Sequence, residues 1–126
     1  KDYRIALPAK KAFRHAPDGS LQPVGGFAEE TTFDDPELID RIHMRLKDNV
    51  VRFGPKGGEE DVAITMGFEK KPPKDMAVVT WTENEESPFY CVEPWMGPPN
   101  APEHKHGLHF VEPGKKQTFL VEVGLV

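Results

Sequence analysis

The sequence lacks the features typical of disulfide-bonded, membrane-spanning and nucleic-acid-binding proteins. It has one cysteine, Cys91, in 126 residues, so an internal disulfide is impossible and a reducing compartment such as the cytoplasm is expected. No apolar run approaches the roughly 20 residues that cross a bilayer. The 16 lysines and arginines against 21 aspartates and glutamates give a net charge of -5, and they form no basic stripe. We therefore expect neither a membrane nor a nucleic-acid partner.

Long stretches suited to helices are also scarce. The chain carries 13 prolines and 11 glycines, a larger share than the roughly 12% of an average protein. Proline removes a helical hydrogen bond and clashes with the preceding turn. Because prolines interrupt nearly every stretch long enough for a helix, a helix bundle is excluded.

What the sequence does contain is a series of short, apolar and often alternating segments separated by turn residues. One stretch, Asp34 to Leu46, begins like a helix: Asp34 or Asp35 can cap it and Pro36 suits its first position, which predicts one or two turns before a strand. Predicted strands lie at 3–7, 50–53, 61–68, 76–82, 89–92 and 118–126. Strands at intervals of about ten residues predict an all-β protein, either an antiparallel sandwich or a closed antiparallel sheet. Residues 97–107 are expected to be irregular.

The residues best suited to chemistry are Glu93 and Trp95, on either side of Pro94. Since proline deletes a ladder donor, strand pairing is expected to weaken at Glu93 and to leave its carboxylate at a strand terminus. A carboxylate beside an indole can hold a sugar, with the ring on the aromatic plate and a hydroxyl on the carboxylate. From spacing alone, a solvated glutamate at a strand end is the favoured explanation of the pattern. Trp81, in the middle of its strand, is interpreted as core.

Two motifs give the sequence a family resemblance. FYCVEPWMG at 89–97, followed by a loop and HFVEPGKKQTFLVEV at 109–123, resembles the C-terminal end of the galactose mutarotase-like family, the aldose 1-epimerases and their relatives. Glu93-Pro94-Trp95 and Glu112-Pro113-Gly114 are its most specific parts. A looser similarity covers most of the chain, including the strand at 3–7, the Pro23 to Gly26 linker and the segment 35–46.

The resemblance implies a fold, a reaction and roles for particular residues. The family fold is a large antiparallel β-sandwich, of which residues 1–126 would be the C-terminal part of a single domain. Its enzymes interconvert the α and β anomers of an aldose without metal or organic cofactor. Glu93 matches the base that takes the proton of the C1 hydroxyl, Trp95 adjoins it as a sugar platform, and Asp40 is the best match for an aspartate that binds sugar hydroxyls. Asp34 and Asp35 compete with Asp40 for that role.

The same resemblance implies a missing partner. The family's acid histidine lies upstream of the region matched by Lys1, and none of the chain's five histidines occupies its place. We therefore expect the complementary N-terminal part of the fold to come from a second chain or from residues not present, or the chain to form a homo-oligomer. A non-catalytic carbohydrate-binding module of the same fold is the main alternative.

A third possibility is a cupin-like enzyme that binds a metal through His104, His106 and Glu112. Imidazoles two residues apart with a nearby carboxylate are plausible ligands for Fe, Mn or Zn. The spacing from Gly97 and to Glu112 departs from the cupin pattern, however, and prolines at 98, 99 and 102 predict a loop. A solvated histidine-bearing loop at the rim of a sugar cleft is therefore the preferred interpretation, with no metal.

Overall fold

The computed structural model describes residues 2–25, 29–58 and 60–126. Within these residues the protein is almost entirely β, with ten strands in two five-stranded antiparallel sheets. The all-β antiparallel sandwich expected from the sequence is therefore confirmed. No helix in this part of the chain has the length and hydropathy needed to cross a bilayer. Lys1 and Gly26, each named in an expectation above, lie outside the described residues.

The chain crosses between the two sheets several times. The strand bounds are β1 (Tyr3–Ala6), β2 (Ala9–His15), β3 (Leu21–Pro23), β4 (Glu30–Thr32), β5 (Arg41–Leu46), β6 (Val50–Pro55), β7 (Val62–Met66), β8 (Met76–Trp81), β9 (Cys91–Met96) and β10 (Val121–Leu125). Sheet A has the order β10-β7-β6-β1-β4, and sheet B has the order β3-β2-β5-β8-β9. Three consecutive pairs of strands, β2–β3, β6–β7 and β8–β9, therefore stay within one sheet. A one-turn helix, α1 (Ala101–His104), follows β9.

The main hydrophobic core lies between the sheets. Sheet A contributes Ile5, Val51 and Met66, and sheet B contributes Met76 and Val78, all at most 2% exposed. Alternation along each strand places these side chains on one face. The packing of two sheets through these faces makes the molecule a sandwich.

The opposite, outer face of sheet B carries a second and smaller apolar cluster. Ile42, Met44, Ala77 and Val79 are at most 9% exposed there. The segment after β9 returns across this face, because the carbonyl oxygen of Pro99 lies 3.4 Å from Nε2 of His15 at the end of β2. Sheet B is therefore covered by sheet A on its inner face and, in part, by this returning segment on its outer face.

The helix-like start at Asp34–Leu46 becomes a single 3-10 turn, Pro36–Leu38, and β5 follows it as expected. Asp35 is the cap: its carboxylate accepts a 2.9 Å hydrogen bond from the backbone N–H of Glu37. The carboxylate of Asp34 instead accepts from the hydroxyl of Thr32. The choice between the two aspartates, open in the sequence, is thus decided by the geometry of the turn.

Two local expectations were wrong. The stretch 97–107 is not wholly irregular, because it contains α1, with Pro102 in the first turn, where a missing N–H costs nothing. Strand pairing does not weaken at Glu93: β9 continues through Glu93, Pro94 and Met96, each paired with a residue of β8. Because β9 is the last strand of sheet B, Pro94 can direct its nitrogen away from β8 without breaking the ladder.

Candidate functional site

The strand β9 presents Glu93 and Trp95 on the outer face of sheet B. Glu93 pairs with Val79 and Trp95 pairs with Ala77, and directly paired residues of an antiparallel ladder project to the same side. Val79 and Ala77 belong to the outer apolar cluster. Glu93 therefore lies in the middle of an edge strand, beside an apolar floor, and not at a strand terminus.

Glu93 and Trp95 are joined by a direct hydrogen bond. The indole Nε1–H of Trp95 donates to Oε2 of Glu93 at 2.9 Å. Residues two apart on one strand face the same way, so their side chains can reach each other without distortion. The bond fixes the orientation of the carboxylate and leaves Oε1 available to a ligand. Trp95 is 40% exposed, so its ring offers a surface on which a ligand can stack.

A second aromatic pair lies at the other end of the same face. Trp81 pairs with Cys91, and the ring of Phe89 lies 5.8 Å from that of Trp81 between centroids. Trp81 is 38% exposed, so its interpretation as core was wrong. The sequence does contain a signal for this exposure. Trp81 lies two residues after Val79, so its side chain is on the same outer face of sheet B, and it is the last residue of β8.

Asp40 lies near this face but not beside Glu93. It precedes β5 and has a left-handed backbone, with φ 52°. Arg41 of β5 pairs with Thr80 of β8, and Thr80 pairs with Val92 of β9. Asp40 precedes Arg41 and Glu93 follows Val92, so strand spacings place the Cα atoms of Asp40 and Glu93 about 12 Å apart. Its carboxylate is exposed and has no hydrogen bond or ion pair to any described residue. If a sugar ring binds at Glu93, Asp40 can contact only the opposite side of that ring or a second sugar ring.

The two competing aspartates face a different place. Asp34 and Asp35 line a cavity of about 430 Å³ between the edges of the two sheets, together with Phe33 and Tyr90. Both carboxylates already accept hydrogen bonds from threonine hydroxyls, Thr32 for Asp34 and Thr31 for Asp35. These hydrogen bonds hold Asp34 and Asp35 in the turn after β4. Of the three candidate aspartates, Asp40 is therefore the one whose carboxylate accepts no hydrogen bond from a described residue.

Tyr90 is the most perturbed group of that inter-sheet cavity. Burial, with a further contribution from the Asp35 carboxylate, raises the pKa of the Tyr90 phenol well above its usual range. Its ring packs edge-on against Phe33 with centroids 4.6 Å apart. The cavity thus combines aromatic rings with the carboxylates of Asp34 and Asp35, and Glu93 is not among its lining residues.

The histidine cluster does not assemble as a metal site. Nε2 of His104 lies 2.8 Å from the carbonyl oxygen of Pro99, and Nδ1 accepts from the backbone N–H of His106 at 3.0 Å. Both ring nitrogens of His104 are therefore used by the backbone. Glu112 lies in a separate exposed turn, and the residues described by the structure contain no group of three or more His, Cys, Asp or Glu side chains placed to hold an ion.

No protein-family model, no curated protein and no solved structure matches the chain. The candidate site is accordingly defined by its own geometry. Its elements are a carboxylate held by an exposed indole, an apolar floor beneath them, and an aspartate two strands away.

Proposed function

We propose that the chain contributes the base side of an aldose 1-epimerase-like active site, in which Glu93 takes the proton of a sugar C1 hydroxyl. The observation that carries the proposal is the 2.9 Å hydrogen bond from the indole of Trp95 to Glu93. It joins an oriented carboxylate to an exposed aromatic plate, the two elements that a pyranose needs. The motif resemblance around Glu93-Pro94-Trp95 supports the same assignment.

The chemistry needs a base at C1 and an acid at the ring oxygen. When Glu93 removes the C1 hydroxyl proton and the acid protonates the ring oxygen, the C1–O5 bond breaks and the open-chain aldehyde forms. Rotation about C1–C2 followed by closure, with the proton movements reversed, gives the other anomer. The resemblance implies that the acid is a histidine outside these 126 residues. Asp40 would hold a hydroxyl distant from C1.

A titration with sugar can test binding and turnover on the same sample. We expect α/β mixtures of D-galactose or D-glucose to shift the NMR resonance of the Trp95 indole N–H, because a bound hydroxyl competes for the Glu93 carboxylate. The anomer exchange rate, measured by saturation transfer, should rise with protein concentration. A single general base contributes on the order of 10²-fold, so Glu93→Gln should remove both the indole shift and most of the acceleration.

Glu122→Gln is the matched control, since Glu122 is an exposed glutamate on β10 of the other sheet. It should leave binding and exchange unchanged. Sugar binding without acceleration would overturn the isomerase assignment and favour a carbohydrate-binding module of the same fold. Absence of any sugar-dependent shift would overturn both assignments.

A further inference from the structure

A second cavity, of about 530 Å³, opens on the outer face of sheet B, and its lining residues do not include Glu93 or Trp95. Phe13 on β2 and Met44 on β5 form its apolar floor. Its rim carries Lys11, Arg45 and Lys74, and the backbone around Gly107 forms one wall. The cavity thus combines an apolar base with several cationic side chains.

The charge around this cavity opposes that of the whole chain. The chain has a net charge of -5, yet two lysines and one arginine line this cavity against one carboxylate, Asp75. The ion pairs found in the described residues involve other cations, and Lys11, Arg45 and Lys74 take part in none of them. Their charges therefore remain available to a ligand, and a concave surface concentrates the field they produce.

The backbone at the rim is held in an unfavourable conformation. Arg45 has φ 52° and Asp75 has φ 57°, both in the left-handed region. Aspartate tolerates this region, but a long side chain such as arginine pays about 1 kcal/mol or more. Strain of this kind persists where the surrounding structure enforces it and concentrates at functional sites. Arg45 lies inside β5, and the pairing of β5 with β2 continues past it to Leu46.

The wall of the cavity is also closely packed. A Cβ atom added to Gly107 would lie 2.6 Å from Cδ of Pro98 and 3.2 Å from Cβ of Asp75. Likewise, a Cβ atom on Gly97 would lie 2.5 Å from the carbonyl oxygen of Gly107. The segment that returns across sheet B thus packs closely against Asp75 at the wall of the cavity.

From these features we propose that this cavity binds a phosphorylated small molecule whose remaining part is a ring or an apolar body. Arg45, Lys11 and Lys74 would neutralise the phosphate, for which arginine supplies paired donors and lysine a point charge. Phe13 and Met44 would contact the ring or apolar part. Across sheet B, Lys11 pairs with Met44, Met44 with Ala77, and Ala77 with Trp95. Three strand spacings, about 14 Å, therefore separate Lys11 from Trp95. The proposal therefore does not depend on Glu93.

Calorimetric titrations of the 126-residue protein at constant ionic strength test the proposal. The probes are inorganic phosphate, glucose 6-phosphate, AMP and adenosine. Glucose 6-phosphate or AMP should bind more tightly than inorganic phosphate, because each adds contacts with the apolar floor. Tighter binding of glucose 6-phosphate would indicate that the cavity prefers a polyol beside the phosphate, and tighter binding of AMP would indicate that it prefers a flat ring. Adenosine, which lacks the phosphate, should bind at least about tenfold more weakly than AMP.

Charge-matched variants separate the cavity from a general effect of charge. Lys11→Gln with Lys74→Gln should weaken binding of the organic phosphate about tenfold. Lys115→Gln with Lys116→Gln, which removes the same charge from an exposed turn, should leave it unchanged. Arg45→Gly should also weaken binding while raising the melting temperature, since glycine relieves the left-handed strain. Equal weakening by both double variants, or no binding of any phosphate, would overturn the proposal.

Discussion

The hydroxyl of Thr80 lies between the main-chain oxygen of Leu38 and the ring of His43, in the core between the two sheets. Thr80 Oγ1 donates to the Leu38 carbonyl at 2.7 Å and lies 2.9 Å from Nε2 of His43. A threonine has a single O–H proton, and here Leu38 receives it. Nε2 of His43 must therefore carry the proton of this bond, which fixes the ring as the neutral Nε2–H tautomer.

The buried, neutral state of His43 predicts a loss of stability in mild acid. Burial, reinforced by the positive charges of Arg41 and Arg14, lowers the pKa of His43 to about 3. Above pH 6.5 the ring is neutral in the folded and unfolded states alike. As the pH falls from 6.5 towards 3 the unfolded chain takes up a proton that the folded protein does not. The free energy of unfolding should therefore drop by about 1 kcal/mol per pH unit over that range.

Chemical denaturation at pH 7, 6, 5 and 4.5 measures this dependence. His43→Gln should be less stable at pH 7 but should show a flatter slope between pH 6 and 4.5. His106→Gln, at an exposed position, should keep the slope of the unmodified protein. The assignment of the acid sensitivity to His43 fails if the His43→Gln slope equals that of the unmodified protein.

Replacing the hydroxyl of Thr80 tests the same network from the other side. Thr80→Val keeps the side-chain shape but leaves the Leu38 carbonyl and the His43 N–H without this partner in a site with 0% exposure. We expect a loss of about 2–3 kcal/mol in the free energy of unfolding. Thr80→Ser retains the hydroxyl and should lose less than half as much. Similar losses for both substitutions would indicate that packing of the methyl group, and not hydrogen bonding, stabilises this position.

Gly97 is predicted to be intolerant of a side chain for two separable reasons. Its φ is +88°, and an added Cβ would lie 2.5 Å from a backbone oxygen, which cannot move aside cheaply. Gly97→Ala should destabilise the protein by about 2–4 kcal/mol, combining strain and overpacking. Gly114, with φ +76° and nothing near its hypothetical Cβ, isolates the strain: Gly114→Ala should cost about 1 kcal/mol. Equal losses in thermal unfolding would contradict the packing role of Gly97.

Much of the fold could be predicted because its signals are local. The alternation in 3–7 reports which side of that strand is buried, the β-branched and aromatic residues of 76–82 indicate a strand, and Asp35-Pro36 marks the start of the 3-10 turn. Each pattern depends on neighbouring residues alone. Both sheets are built from segments of this kind, so the sandwich follows once their number and spacing are known.

The errors arose where the outcome depends on which strand is next to which. Proline at 94 would end a central strand, but β9 is the last strand of its sheet and tolerates it. The exposure of Trp81 depends on where the returning segment crosses sheet B. The cationic cavity joins Lys11, Arg45 and Lys74 from three distant parts of the chain. Pairing order and loop paths are non-local, and no spacing in the sequence encodes them.

Under the proposed function, the indole of Trp95 would both stack on the sugar and orient Glu93, and Trp95→Phe distinguishes these two roles. Phenylalanine retains an aromatic plate on β9 but removes the Nε1–H that holds Glu93. We expect sugar affinity to fall about threefold, because stacking survives, and the acceleration of anomer exchange to fall about tenfold, because the carboxylate loses its fixed orientation. Trp95→Ala should abolish measurable binding, since it removes the plate as well. Trp81→Phe, also on the outer face, is the control and should preserve both quantities. If Trp95→Phe weakened binding as much as Trp95→Ala while exchange at saturating sugar stayed unchanged, the hydrogen bond would have no part in positioning the base.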